Sequence, residues 1–113
     1  MSSPLTSHVL DTASGRPAAG LAVTVEHLRE GTWHLVSSGA TNDDGRVPGL
    51  LTPETFVAGT WRVHFATGPY LQAHHGSAFY PHVHVVFEVD APGEHYHIPL
   101  LLSPFGYSTY RGS

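Results

Sequence analysis

The chain has 113 residues and a mass of 12.2 kDa, one domain's worth, with 41% hydrophobic residues for a modest core and only 12% charged ones. That balance excludes a charge-rich disordered segment. Its net charge is −4 and all five cations are arginines, so a nucleic-acid backbone or an acidic membrane surface is a poor partner.

Cysteine is absent, which removes disulfides, cysteine-based zinc sites and thiol nucleophiles together. Twelve glycines and nine prolines are spread so that no stretch free of both exceeds ten residues. Helices of ordinary length therefore have almost nowhere to sit.

In chain order, Met1-Ser2-Ser3-Pro4 carries no basic flank and no apolar run follows it, so the expectation is a soluble cytoplasmic protein without a secretory leader. Residues 5–11 form a short strand with His8 and Leu10 opposite Val9. Residues 13–20 read as a loop. Residues 21–28 alternate, with Leu21, Val23 and Val25 on one face, and Arg29-Glu30-Gly31 turns them into a second strand over 32–36. Asn42-Asp43-Asp44-Gly45 is a strong turn signal. Over 60–65, Trp61, Val63 and Phe65 point inward and Arg62 and His64 outward.

Residues 70–75, between Pro69 and Gly76, are the one place for a short helix. Over 82–90, Val83, Val85, Phe87 and Val89 share a face opposite His84 and Glu88. In 94–103, Tyr96, Ile98, Leu100 and Leu102 face the core, and His95, His97, Pro99 and Leu101 share the other side. Pro99 is awkward there, because a proline within a strand belongs at an edge or a bulge. Leu100-Leu101-Leu102 is far too short to span a bilayer. The pattern predicts an all-β sandwich of seven or eight strands, one domain over residues 1–113.

Ten histidines are several times an ordinary share. His27, His34, His64, His74 and His75 read as solvent-facing or structural. The pairs His82/His84 and His95/His97 each place two imidazoles on one strand face, about 7 Å apart. A zinc site there needs a third ligand, and His-x-His recurs by chance in so histidine-rich a chain, so the preferred reading has no metal. His8 with Leu10, and His97 with Leu101, mix titratable and apolar groups on outward faces. A subunit contact or a pocket against both terminal strands accounts for that mixture.

The chain closes on Ser103-Pro104-Phe105-Gly106-Tyr107-Ser108-Thr109-Tyr110-Arg111-Gly112-Ser113, aromatic and patterned to its last residue. Such a tail is either docked for structure or part of a site. Tyr110-Arg111-Gly112-Ser113 resembles the signature of the transthyretin-like 5-hydroxyisourate hydrolases. His97-Ile98-Pro99-Leu100-Leu101-Leu102-Ser103-Pro104 resembles the segment before it. Ser7-His8-Val9-Leu10-Asp11-Thr12 with Gly15-Arg16-Pro17-Ala18-Ala19-Gly20-Leu21 is similar to the family's opening motif, and Asp44-Gly45-Arg46 to the segment carrying its functional arginine. Four motifs in order cover nearly the whole chain.

The resemblance implies an eight-stranded sandwich with one short helix, and a homotetramer built as a dimer of dimers with sites between dimers. It implies cofactor-free hydrolysis of 5-hydroxyisourate, a product of urate oxidation in purine degradation, to 2-oxo-4-hydroxy-4-carboxy-5-ureidoimidazoline. His8, Arg46, His97 and Ser113 are implied as catalytic. His8, Arg46, Tyr110, Arg111 and Gly112 are implied to bind substrate, with Arg111 alternatively holding the tail by pairing with a carboxylate. Histidine exchanges protons near neutrality, and arginine offers a fixed cation with a planar fork of donors. The base and acid roles of His8 and His97 stay undivided. Rival readings are a zinc hydrolase using the His-x-His pairs and a non-enzymatic carrier of flat aromatic ligands.

Overall fold

In the computed structural model, which describes residues 3–113, strand alternation decides which side chains meet. Met1 and Ser2, where the leader reading begins, lie outside the described residues. The elements are β1 (Leu5–Asp11), β2 (Arg16–Pro17), β3 (Ala22–Arg29), β4 (Thr32–Ala40), a 3₁₀ turn (Pro53–Thr55), β5 (Gly59–Phe65), α1 (Thr67–His75), β6 (Val83–Val89), β7 (Tyr96–Ser103) and β8 (Gly106–Thr109). They form two four-stranded sheets, ordered β2-β1-β7-β8 and β4-β3-β5-β6.

The core lies between the sheets. Leu5, Val9, Ile98, Leu100 and Leu102 come from one, and Val23, Val25, Trp61, Val63, Phe65, Val83 and Val89 from the other. Trp61, Val63 and Phe65 are 0% exposed, and each such burial is worth about 1.5–3 kcal/mol. The inward sets expected from period two are the buried ones, except that Val85 and Phe87 are only partly buried where they pack against the core. The architecture is the expected all-β sandwich of eight strands, with one α-helix among the described residues. Among the described residues no helix is long and apolar enough to cross a membrane.

Where the elements differ from expectation, the causes are local. The β3–β4 hairpin turns on Glu30 (φ 52°) and Gly31 (φ 76°), the two left-handed positions of a tight hairpin turn, and β4 runs on to Ala40. The 13–20 loop contains the two-residue β2, paired with the end of β1. Helix α1 begins at Thr67 rather than 70, because proline is tolerated in a first helical turn and Pro69 sits there. Residues 106–109, not read as a strand, pair with 100–103.

Pro99 lies in a central strand, parallel to β1 on one flank. On the other flank the β8 ladder stops at Leu100↔Thr109, and pairing resumes at the isolated His97↔Gly112 bridge. Pro99 occupies that interruption, which resolves its apparent conflict with the strand.

Candidate active site

The parallel register of β1 and β7 sets Thr6 opposite His97 and His8 opposite Pro99. Because successive side chains alternate, Thr6, His8 and His97 all stand on the outer face of this sheet. Each is half-buried.

Arg46 reaches this face on the long connection between β4 and β5. Asn42 builds the turn that delivers it: its side-chain oxygen accepts hydrogen bonds from the amides of Asp44 (2.9 Å) and Arg46 (3.1 Å), and its own amide donates to the Arg46 carbonyl (2.8 Å). Gly45, at φ 77°, closes the turn. The Val9 amide then donates to the Gly45 carbonyl at 2.8 Å, and Arg46 forms a bridge with His8. Val47 beside it is buried, so the backbone is anchored while the Arg46 side chain stays exposed.

The tail arrives from the opposite flank. The Gly112 amide donates to the His97 carbonyl at 2.8 Å. Arg111 points away to Glu94 at 3.2 Å and lies over the Tyr96 ring, 4.1 Å from its centroid. The tail is docked, by the carboxylate contact that was the alternative for Arg111.

Together these segments wall a cleft of about 460 Å³, lined among others by Thr6, Asn42, Arg46, His95, His97 and Ser113. His8, Tyr110, Arg111 and Gly112 are not among its lining residues. His8 borders it through its bridge to Arg46, Gly112 holds the His97 backbone, and Tyr110 is exposed on the tail. Thr6, Asn42 and His95 are lining residues that the sequence reading did not assign to the site. Thr6 shares the His8 face of β1, and the strand register sets it opposite His97.

Burial, and then the neighbouring charges of Arg46, His95 and His8, hold the His97 imidazole below the ordinary histidine range. The ring is therefore neutral at pH 7, with Nδ1 engaged by the Thr6 hydroxyl at 2.8 Å and Nε2 left for chemistry. A neutral imidazole, a permanently charged guanidinium and a hydroxyl around one cleft can activate water against a carbonyl and stabilise the resulting oxyanion.

The other His-x-His pair lies on the outer face of the second sheet. His82 and His84 gather there with His64, at ring separations of 4.8–5.4 Å. Among the described residues no group of three or more histidine or acidic side chains is arranged to hold a metal ion. His75 has a structural place, with Nε2 2.7 Å from the buried Asp11 carboxylate.

Residues 5–112 match the family described as HIUase/Transthyretin. The chain is 48% identical to the 5-hydroxyisourate hydrolase of Mus musculus, covering 99% of this chain and 97% of that one. It is 43% identical to the 5-hydroxyisourate hydrolase of Halalkalibacterium halodurans, over the full length of both. Among solved structures it resembles sea bream transthyretin in complex with thyroxine, at a TM-score of 0.91 and 35% identity, covering 96% of this chain and 94% of that one.

Proposed function

Because the chain belongs to the HIUase/Transthyretin family, we propose that it is a 5-hydroxyisourate hydrolase acting in urate degradation in the cytoplasm, with residues 1–113 forming one catalytic domain. The observation that carries this reading is the meeting of Arg46, His97 and Ser113 at one cleft, from a loop, a central strand and the tail.

Water adds to the amide-like carbonyl carbon of the six-membered ring. The ring C–N bond then breaks, the leaving nitrogen takes a proton, and a carboxylate remains, giving 2-oxo-4-hydroxy-4-carboxy-5-ureidoimidazoline. His8 and His97 exchange the protons. The neutrality of His97 supports its part, since a base must be unprotonated at working pH. Arg46 orients the substrate's oxygens and stabilises the developing oxyanion, a role typically worth about 3 kcal/mol. Ser113 adds a hydroxyl contact, and Tyr110, Arg111 and Gly112 shape the tail that closes over the substrate. No cofactor takes part.

Four copies assemble as a dimer of dimers, with the outer face of β1 and β7 against a partner. Half-buried Leu10 and Leu101 beside the site histidines support that contact.

The test generates 5-hydroxyisourate in situ from urate with urate oxidase and follows its ultraviolet decay with and without the protein and a chelator. Acceleration that ignores the chelator is expected. Decay at the spontaneous rate overturns the reading and turns attention to ligand carriage, since fold alone does not fix function.

A further inference from the structure

Thr6 and His95 line the cleft, and the mechanism above gives them nothing to do. Yet Oγ1 of Thr6 lies 2.8 Å from Nδ1 of His97 and 2.8 Å from Nε2 of His95. The two imidazoles stand two residues apart on the same strand face, their rings stacked at 24° with centroids 6.2 Å apart. A hydroxyl has one proton to donate. It can therefore donate to one ring and must accept from the other, so the tautomers of the two histidines are coupled through it.

Resting on the hydrolase reading, we propose that His97, Thr6 and His95 form a proton relay, in which Thr6 and His95 are positioning residues that carry charge between the reacting ring and the surface. In the resting state Nδ1–H of His97 donates to Thr6 Oγ1, and the Thr6 hydroxyl donates to Nε2 of His95. Nε2 of His97 then presents its lone pair to the cleft. As water attacks, its proton passes to His97 Nε2, the Nδ1 proton passes to Thr6 Oγ1, and the Thr6 proton passes to His95 Nε2. His97 ends neutral, Thr6 ends as a hydroxyl, and His95 ends as an imidazolium. The reverse shift accompanies donation from His97 Nε2–H to the leaving nitrogen, so no proton is gained or lost over the cycle.

The gain lies in where the positive charge rests. His97 is half-buried and faces Arg46 from the 42–49 loop, His8 from β1 and His95 from its own strand. On the tail, Arg111 is engaged by Glu94. An imidazolium formed at His97 is poorly hydrated and is repelled by the guanidinium. In the single chain, one formed at His95 is better hydrated, because His95 is exposed and His97 is half-buried.

Three variants separate the relay from a structural role. Thr6→Val keeps the β-branched shape without the hydroxyl, Thr6→Ser keeps the hydroxyl, and His95→Gln keeps a polar partner for Thr6 but cannot take up a proton. Thr6→Val and His95→Gln are expected to lower kcat about tenfold with KM unchanged, while Thr6→Ser stays within about twofold of wild type. In mixtures of light and heavy water the rate curves for wild type and is linear for His95→Gln.

Nitrogen-15 spectra of the wild-type protein without substrate should find both neutral rings protonated at Nδ1, and Thr6→Val should release them. Wild-type His97 protonated at Nε2 overturns the relay, as does wild-type kcat in both Thr6→Val and His95→Gln. If wild-type protein leaves the decay at its spontaneous rate, the hydrolase reading falls instead, and the spectra still decide whether Thr6 couples the rings.

Discussion

Gly112→Ala tests whether the tail must lie against His97. A Cβ built on Gly112 stands 2.4 Å from Cδ2 of His97, 3.2 Å from its Cγ and 3.4 Å from its Cβ. The backbone there is not left-handed, so only space demands glycine. Ordinary contact begins near 3.4 Å, which leaves a deficit of about 1 Å at Cδ2. The ring cannot turn away cheaply, because Nδ1 is held by Thr6. The tail must lift instead, losing the Gly112–His97 backbone bond, worth about 1 kcal/mol. Its neighbours Tyr110, Arg111 and Ser113 are exposed, so the melting point should fall only slightly. The cleft loses its wall, however, and a displacement of about 1 Å in a positioned group costs about a hundredfold in rate, or about 2.7 kcal/mol. The assay is kcat/KM for 5-hydroxyisourate decay alongside a thermal melt, with Gly93→Ala as control, since nothing lies within 4 Å of that added carbon. Wild-type kcat/KM in Gly112→Ala would refute the reasoning.

His8→Ala and His97→Ala should each cut turnover by about two orders of magnitude; unchanged turnover in both would sink their assignment. Burial, then Arg46, His95 and His8, depress the proton affinity of His97, so the acid limb of kcat/KM should lie below the ordinary histidine value of 6.5. Arg46→Gln removes a repelling cation, so the limb should move to higher pH while the plateau falls about a hundredfold; a limb that stays put would contradict the electrostatic account. At the far end of β1, buried Asp11 accepts from the Tyr70 hydroxyl at 2.7 Å, contacts His75 Nε2 at 2.7 Å, and accepts from the amides of Ala13 and Ser14. Asp11→Ala should destabilise by about 3–5 kcal/mol and Tyr70→Phe by about 1–2 kcal/mol, read from denaturant melts. Burial pushes the Asp11 carboxyl up, but hydrogen bonds with His75, Tyr70 and Ser14 outweigh it and hold it below 3.8. Its stabilisation is therefore present above that value and lost as pH falls through the depressed one; acid melts should find Tyr70→Phe losing less than wild type over that range.

Period-two alternation made much of the fold legible, because one buried face per strand leaves a direct trace in residue order. Trp61, Val63 and Phe65 could be placed inward before any pairing was known, and so could Tyr96, Ile98, Leu100 and Leu102. The strands that sequence did not disclose, β2 and β8, are short and exposed along much of their length. They owe their existence to the edges they pair with rather than to a buried side of their own. Pro99 is the same lesson reversed. Its missing N–H looked incompatible with a central strand until the gap between Thr109 and Gly112 on the neighbouring chain segment was visible.

For the candidate site, the motifs named residues but not their arrangement. His8, Arg46 and His97 are far apart in sequence, and parity fixes only that the two histidines face outward. The parallel register of β1 on β7 adds Thr6 to His97, and no local pattern encodes that register. The glycines carry a second hidden instruction. As composition they only argue against helices, but two of them bring main chain against the two site imidazoles. The Cβ that Gly45 lacks would come within 3.2 Å of His8 Cδ2, and the one that Gly112 lacks within 2.4 Å of His97 Cδ2. Each ring is thus bounded on its Cδ2 side by backbone, and backbone held in a sheet or a turn does not rearrange at small cost. Two short segments, Asp44-Gly45-Arg46 and Arg111-Gly112-Ser113, therefore bring Arg46 and Ser113 to the candidate cleft and set backbone against His8 and His97. On the hydrolase reading, changing those segments alone removes the chemistry and leaves the sandwich intact, since function lives in a site grafted on a fold.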